Sequence, residues 1–106
     1  MADELKKLTE DSFKEGVSKG VTLVDFYADW CGPCRMMTPV LVKLSAELQG
    51  KASIVKLDID HAQDTARIYQ VTSVPTLILF KDGKEVGRLV GLRDAETVKK
   101  FVLSAN

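Results

Sequence analysis

Cysteine, histidine and tryptophan are scarce in this chain, whose 106 residues hold two cysteines, one histidine and one tryptophan. Two cysteines permit at most one internal disulfide, which excludes the densely cross-linked scaffolds of small secreted proteins. A structural zinc site commonly takes four ligands, as two CxxC pairs or as one CxxC with two histidines. Cys31, Cys34 and His61 fall short of that set, and His61 lies beyond a different strand, so no metal is expected. Charge of one sign is not in excess either: Lys plus Arg number 15 and Asp plus Glu number 15. That balance supplies no basic field for nucleic acid or for an anionic membrane surface. No apolar run is long enough to cross a bilayer as a helix. The opening residues "MADELKKLTE" carry mixed charge and no apolar segment, so no secretory signal is expected, and the initial Met points the same way. Internal repeats, low-complexity tracts and linkers are missing too.

What is present is the material for a core. Hydrophobic residues make up 45% of the chain, enough for a single domain over 1–106 that needs no disulfide to hold it. The expected compartment is the cytosol, where a static disulfide does not persist. "ELKKLT" reads as a short first strand. Thr9 stands as an N-cap ahead of Glu10 and Asp11, and Leu8 and Phe13 are spaced as a hydrophobic staple. The helix so begun carries Phe13 and Val17 on one face and is expected to end near Gly20. Residues 21–28, "VTLVDFYA", are apolar on both alternating faces, as in a central strand covered on both sides. From Cys34 to Gln49 the period becomes helical through Met37, Val40, Leu41, Leu44 and Leu48, with Pro39 inside and Gly50 at the end. Residues 52–59, "ASIVKLDI", read as a second buried strand, parallel to the first across a right-handed crossover. A short helix over about 61–70 takes Asp60 as its cap. "TLILF" and "EVGRLV" flank "KDGK", an Asp-Gly hairpin signal. A last helix starts at Asp94 and is expected to bury Ala95, Val98, Phe101 and Val102. The order β-α-β-α-β-α-β-β-α describes a mixed sheet with helices on both faces.

Both cysteines stand in "DWCGPC", Asp29 to Cys34, behind the tryptophan. Such a pair can be a staple, a metal clip or a redox couple. Residues three apart on a helix have Cβ atoms roughly 5–6 Å apart, and a disulfide wants about 3.5–4.5 Å. The pair therefore closes with modest tightening of the first turn and is expected to be easily reduced, as a cycling couple requires. Cys31 sits at the helix N-terminus, where free backbone N–H groups and the dipole favour its thiolate, and it is expected to be the exposed sulfur. Cys34, one turn inside, is expected to be more buried and more protonated. Pro33, early in the helix, loses no needed hydrogen bond.

"LVDFYADWCGPCR", "KLDID", "VPTLILFKDG" and "LVGL", in this order and spacing, make the chain resemble the thioredoxin family over nearly its whole length. The resemblance implies an α/β thioredoxin fold, a central mixed five-stranded β-sheet flanked by four helices. It implies that Cys31 is the attacking thiolate and Cys34 the resolving thiol. Asp25 matches the buried carboxylate that helps move the proton of Cys34, and Lys56 the lysine near that carboxylate. Pro75 matches a cis-proline facing the disulfide, with Val74 offering backbone hydrogen bonds to an extended substrate. Trp30, Gly32, Pro33, Ile59, Val90, Gly91 and Leu92 match an apolar docking surface. Two positions depart from the family pattern: Tyr27 stands where most members carry a second tryptophan, and Ser73 where many bacterial members carry glycine.

Plainer readings stand beside these. Asp25 interrupts an apolar strand, where an ionised carboxylate is costly; it can also face outward or bond a backbone group, but beside CGPC the functional reading is preferred. Pro75 precedes a strand, so an ordinary trans proline fits the sequence equally, and the cis assignment rests on the resemblance. Trp30 serves packing or docking. Lys56, in an apolar strand, more often snorkels to solvent than serves chemistry. His61 reads as a surface residue at a helix start, and Met36 and Met37 as core filler near the site. The resulting expectation is a monomeric thiol–disulfide oxidoreductase that reduces disulfide-containing protein substrates. No bound cofactor is expected beyond the redox-active disulfide, since no G-x-G-x-x-G follows a strand. Electrons are expected from a partner, implied by the resemblance to be thioredoxin reductase, an NADPH-dependent flavoprotein. The Gly-Pro dipeptide is the family mark of reductants, against an oxidase or isomerase of the same fold. A binding, processivity or assembly subunit is the reading from another class, and an intact CGPC with Asp25 argues for chemistry instead.

Overall fold

The apolar run after Gly20 becomes the middle of a sheet. In the computed structural model, which describes residues 5–106, the elements are β1 (Lys6–Leu8), α1 (Phe13–Gly16), β2 (Val21–Tyr27), α2 (Gly32–Glu47), β3 (Ser53–Asp58), α3 (Gln63–Ile68), β4 (Thr76–Lys81), β5 (Lys84–Val90) and α4 (Ala95–Leu103). The order is the expected one, and β1, β3 and β2 run parallel while β4 and β5 are antiparallel. Across the sheet the sequence is β1-β3-β2-β4-β5. β2 therefore has a partner on each side and is buried from Val21 to Phe26.

Strand alternation divides the core in two. Leu23, Ile54, Leu77 and Leu79 face α2 and α4, against Met37, Leu41, Val98 and Val102. Val24, Phe26, Leu57, Ile78 and Phe80 face the other way, against Phe13 of α1 and Tyr69 just past α3. Phe13 and Phe80 meet edge to face, with ring centroids 5.5 Å apart.

Several element ends differ from the sequence reading, each for a local reason. α1 is one turn, beginning after Ser12 rather than at Thr9, and it stops at Gly16 rather than near Gly20. Thr9 nevertheless makes the capping bond ahead of that turn: its Oγ1 accepts from Ser12 N–H at 3.2 Å, and Ser12 Oγ accepts from Thr9 N–H at 2.9 Å. A Cβ at Gly16 would stand 2.7 Å from Leu8 Cδ2, so a larger residue there would make the end of the Leu8 side chain shift. Leu8 and Phe13, the expected staple pair, share one apolar cluster. α2 starts two residues before the helical period does, with Cys31 as its N-cap, the place at the helix N-terminus expected for it. α3 is shorter than 61–70, and Asp60 does not cap it. That part is taken by Glu10, whose carboxylate accepts from Asp64 N–H at 2.9 Å, Thr65 N–H at 3.0 Å and Thr65 Oγ1–H at 2.6 Å. Asp94 does cap α4, accepting from Thr97 N–H at 2.8 Å. Val98 and Val102 are fully buried there, but Ala95 and Phe101 only partly. The β4–β5 turn carries two positive φ values, 50° at Asp82 and 87° at Gly83, as the two-residue Asp-Gly hairpin demands.

Candidate functional site

β2 ends at Tyr27, and four residues later α2 begins behind Cys31. Cys31 has extended backbone angles, and its Sγ accepts from the Cys34 N–H at 3.1 Å, so a sulfur fills the place of a capping oxygen. Cys31 and Cys34 are joined as a disulfide, with Cα atoms 5.3 Å apart. The expected contrast in burial is absent: Cys31 is 4% exposed and Cys34 2%. Ala28 packs with both cysteines, and Tyr27, Ile59 and Val74 close around them, which is what covers Cys31. What distinguishes the two sulfurs here is the helix terminus, where Cys31 Sγ accepts the Cys34 N–H.

Val74 and Pro75 arrive from the segment before β4. The Val74–Pro75 peptide is cis. The Val74 carbonyl oxygen lies 3.8 Å from Cys31 Sγ. The Pro75 carbonyl accepts from Gly91 N–H at 2.8 Å, which fixes the end of β5 beside it. Gly91 has φ 91°, a conformation that side chains rarely take. Val90 and Leu92 on either side are half-exposed. Gly32 and Pro33 are exposed at the start of α2. Trp30 is 67% exposed, and its indole N–H donates to Asp60 Oδ2 at 3.0 Å. Ile59 is half-buried and bridges this rim to the cysteines.

Asp25 lies two residues before Tyr27 on the sheet face that carries Leu23. It is 2% exposed, and among the described residues its Oδ1 has no hydrogen-bond partner. Burial pushes its carboxyl pKa up to about 7, against the opposing pull of the Lys56 ammonium. Lys56 is level with Asp25 across the parallel β2–β3 ladder and half-buried. Its ammonium stands 5.4 Å from the centroid of the Tyr27 ring.

Three features escaped the sequence reading. Met36 is 63% exposed rather than core filler, while Met37 is fully buried; only the second faces the sheet. Asp58, 2% exposed, is a buried carboxylate whose pKa burial would raise. The His61 ring and the Asp60 N–H bond it and hold it low instead. The signal was the alternation of Lys56 and Asp58 with apolar residues along β3. Lys7, beside the Tyr27 phenol, had no signal in sequence, since the pairing of β1 with β3 sets its place. His61 is exposed, as its position at a helix start predicts. Among the described residues no group of three or more His, Cys, Asp or Glu side chains is placed to hold a metal ion. Among them, too, no helix is long and apolar enough to cross a membrane.

The same sequence and geometry recur in known proteins. A family model described as Thioredoxin matches residues 4–104. A thioredoxin of Chlamydia muridarum (strain MoPn / Nigg) is 52% identical over 95 residues, 90% of this chain and 92% of the relative. One from Staphylococcus aureus (strain Mu50 / ATCC 700699) is 51% identical over 96 residues, 91% of this chain and 92% of the relative. Among solved structures, mitochondrial thioredoxin 3 from Saccharomyces cerevisiae in its oxidized form superposes with a TM-score of 0.86 at 35% identity, over 94% of each chain. A mutant thioredoxin from Halobacterium salinarum NRC-1 gives 0.85 at 42% identity, over 97% of this chain and 91% of that one. The chain belongs to the thioredoxin family, and it is a thiol–disulfide oxidoreductase.

Proposed function

We propose that the chain reduces disulfides in protein substrates, with Cys31 as nucleophile and Cys34 as resolving thiol. The observation that carries this assignment is the Cys34 N–H on Cys31 Sγ at the N-terminus of α2, beside the exposed Trp30 rim. In the reduced protein a Cys31 thiolate attacks one sulfur of a substrate disulfide. The other substrate sulfur leaves as a thiolate and takes a proton from solvent. Cys34 then gives its proton to the Asp25 carboxylate and attacks Cys31 Sγ. The Cys31–Cys34 disulfide closes, and the second substrate sulfur leaves. Two electrons have passed to the substrate, and an NADPH-dependent flavoprotein, thioredoxin reductase, returns them. A carboxyl with a pKa of about 7 suits the proton step, because it takes up and releases a proton near neutrality. Lys56 modulates that carboxyl, and Val74 and Pro75 border the place an extended substrate occupies. Trp30, Gly32, Pro33, Ile59, Val90, Gly91 and Leu92 form the rim on which the substrate docks. In this reading residues 1–106 work as one domain and one monomer in the cytosol, with no bound cofactor.

The test is a trapping experiment with reduced variants and insulin. Cys34→Ser should accumulate a covalent adduct through Cys31 that dithiothreitol releases, because the resolving thiol is gone. Cys31→Ser should form none and should not reduce insulin. The reverse pattern would exchange the two roles.

A further inference from the structure

Charged side chains line up where β1, β3 and β2 run side by side. Lys7 of β1 is level with Lys56 of β3, and Lys56 is level with Asp25 of β2. Residues level across parallel strands share a face, so two ammonium groups and one buried carboxyl occupy one row. Tyr27 lies on that face two residues beyond Asp25, and the Lys56 ammonium stands 5.4 Å from its ring centroid. A cation within about 6 Å of an aromatic face is attracted by the ring quadrupole. The phenol end of Tyr27 lies beside Lys7, whose ammonium pKa it pushes up. Asp58 of β3 and Asp29 of the β2–α2 turn add negative charge near the phenol. From β4 the neighbour of Asp25 is Leu77, and α2 brings the apolar Met37 and Leu41 to this face, with Cys31 and Cys34 joined above. Lys56 is thus the charge that opposes burial at Asp25. Among the described residues Lys56 makes no ion pair. A lysine on a free stem extends into water, where its ammonium is best solvated.

We propose that Tyr27 is a positioning residue of the redox site: its ring holds the Lys56 ammonium beside Asp25 instead of releasing it to bulk water. The proposal rests on the reading of Asp25 as the group that exchanges a proton with Cys34. It gives the departure from tryptophan at this position a consequence, because the strength of the cation's attachment follows the ring. Tyr27 then acts on Asp25 through Lys56 and not by shielding the carboxyl from water.

Carboxyl ¹³C NMR titration of Asp25 in the oxidised protein separates these. In Tyr27→Leu, which keeps an apolar side chain over the site, Asp25 should titrate about half a pH unit higher. Lys56→Met should raise it at least as far. In the Lys56→Met background, adding Tyr27→Leu should change nothing further. An equal rise in both backgrounds overturns the proposal, and so does no rise or a fall in Tyr27→Leu alone. Tyr27→Trp serves if the leucine variant does not fold, and it should move the titration downward, because indole holds a cation more strongly. No movement, or an upward one, would again overturn it. The underlying reading fails separately: resolution by Cys34 at the wild-type rate in Asp25→Ala would remove the proton role while leaving the titration result standing.

Discussion

Asp25 sits where an ionised carboxylate is hardest to keep, and its pKa of about 7 makes a statement about stability. The folded protein holds this proton more tightly than the unfolded chain does. The resulting stabilisation is complete below the unfolded value of about 4 and is lost as pH climbs through about 7. The total loss is on the order of 4 kcal/mol. Asp25→Ala has no such dependence, so it should gain on the wild type between pH 5 and pH 9 and should exceed it at the upper end. Denaturant unfolding of both proteins across that range measures the gap. Parallel stability curves would mean that the carboxyl is not buried as described. Asp25 was legible because a lone acid in an apolar strand is conspicuous. Asp58 is equally buried but was passed over, since the groups that keep it ionised, His61 and the Asp60 N–H, act through local turn geometry that composition does not display. Met36 and Met37 differ only in which side of α2 they fall on, and adjacent identical residues carry no label for that.

At the scale of elements, the sequence marks where a period begins more clearly than which group caps it. The α4 cap was readable because Asp94 is adjacent to the turn it caps. The α3 cap was not, because Glu10 reaches it from 54 residues away. Hydrogen bonds from Thr65 and Asp64 hold the Glu10 carboxyl below its usual range. That contribution is present above the unfolded pKa and fades as pH falls through the folded one. Glu10→Ala should therefore speed amide hydrogen exchange at Asp64 and Thr65 several-fold near neutrality, because two N–H groups lose their acceptor. The difference from wild type should shrink in acid. Exchange followed by NMR at two pH values checks both halves. Unchanged exchange would mean that solvent serves those amides as well as Glu10 does. Freeing Asp60 from the cap also explains its place at the site: it is left to accept the Trp30 indole.

Across the whole molecule the topology was legible, and so, through the resemblance, was Lys56 near Asp25, but the place of Lys7 was not. Strand, helix, strand in one short stretch dictates a parallel pair, and Asp-Gly dictates a hairpin. That Lys7 stands beside the Tyr27 phenol depends on β1 inserting beside β3, a long-range pairing that no local pattern records. The assembled sheet separates two tasks, because the disulfide is packed into a small apolar cluster while Trp30 stands out beyond it. Removing Trp30 should therefore test docking apart from folding and chemistry. At 67% exposure it contributes little to the core, so Trp30→Ala should change unfolding stability by no more than about 0.5 kcal/mol. On the docking surface proposed above its loss is a different matter, since truncating aromatic anchors commonly costs about 2 kcal/mol or more of binding. Insulin reduction should then lose about tenfold or more in kcat/KM. A small aromatic disulfide, too short to reach the rim while it reacts with Cys31, should lose much less. Equal losses for both substrates would place the effect of Trp30 on the reactivity of the sulfurs, through the Asp60 hydrogen bond and the loop before α2, and not on the substrate's grip.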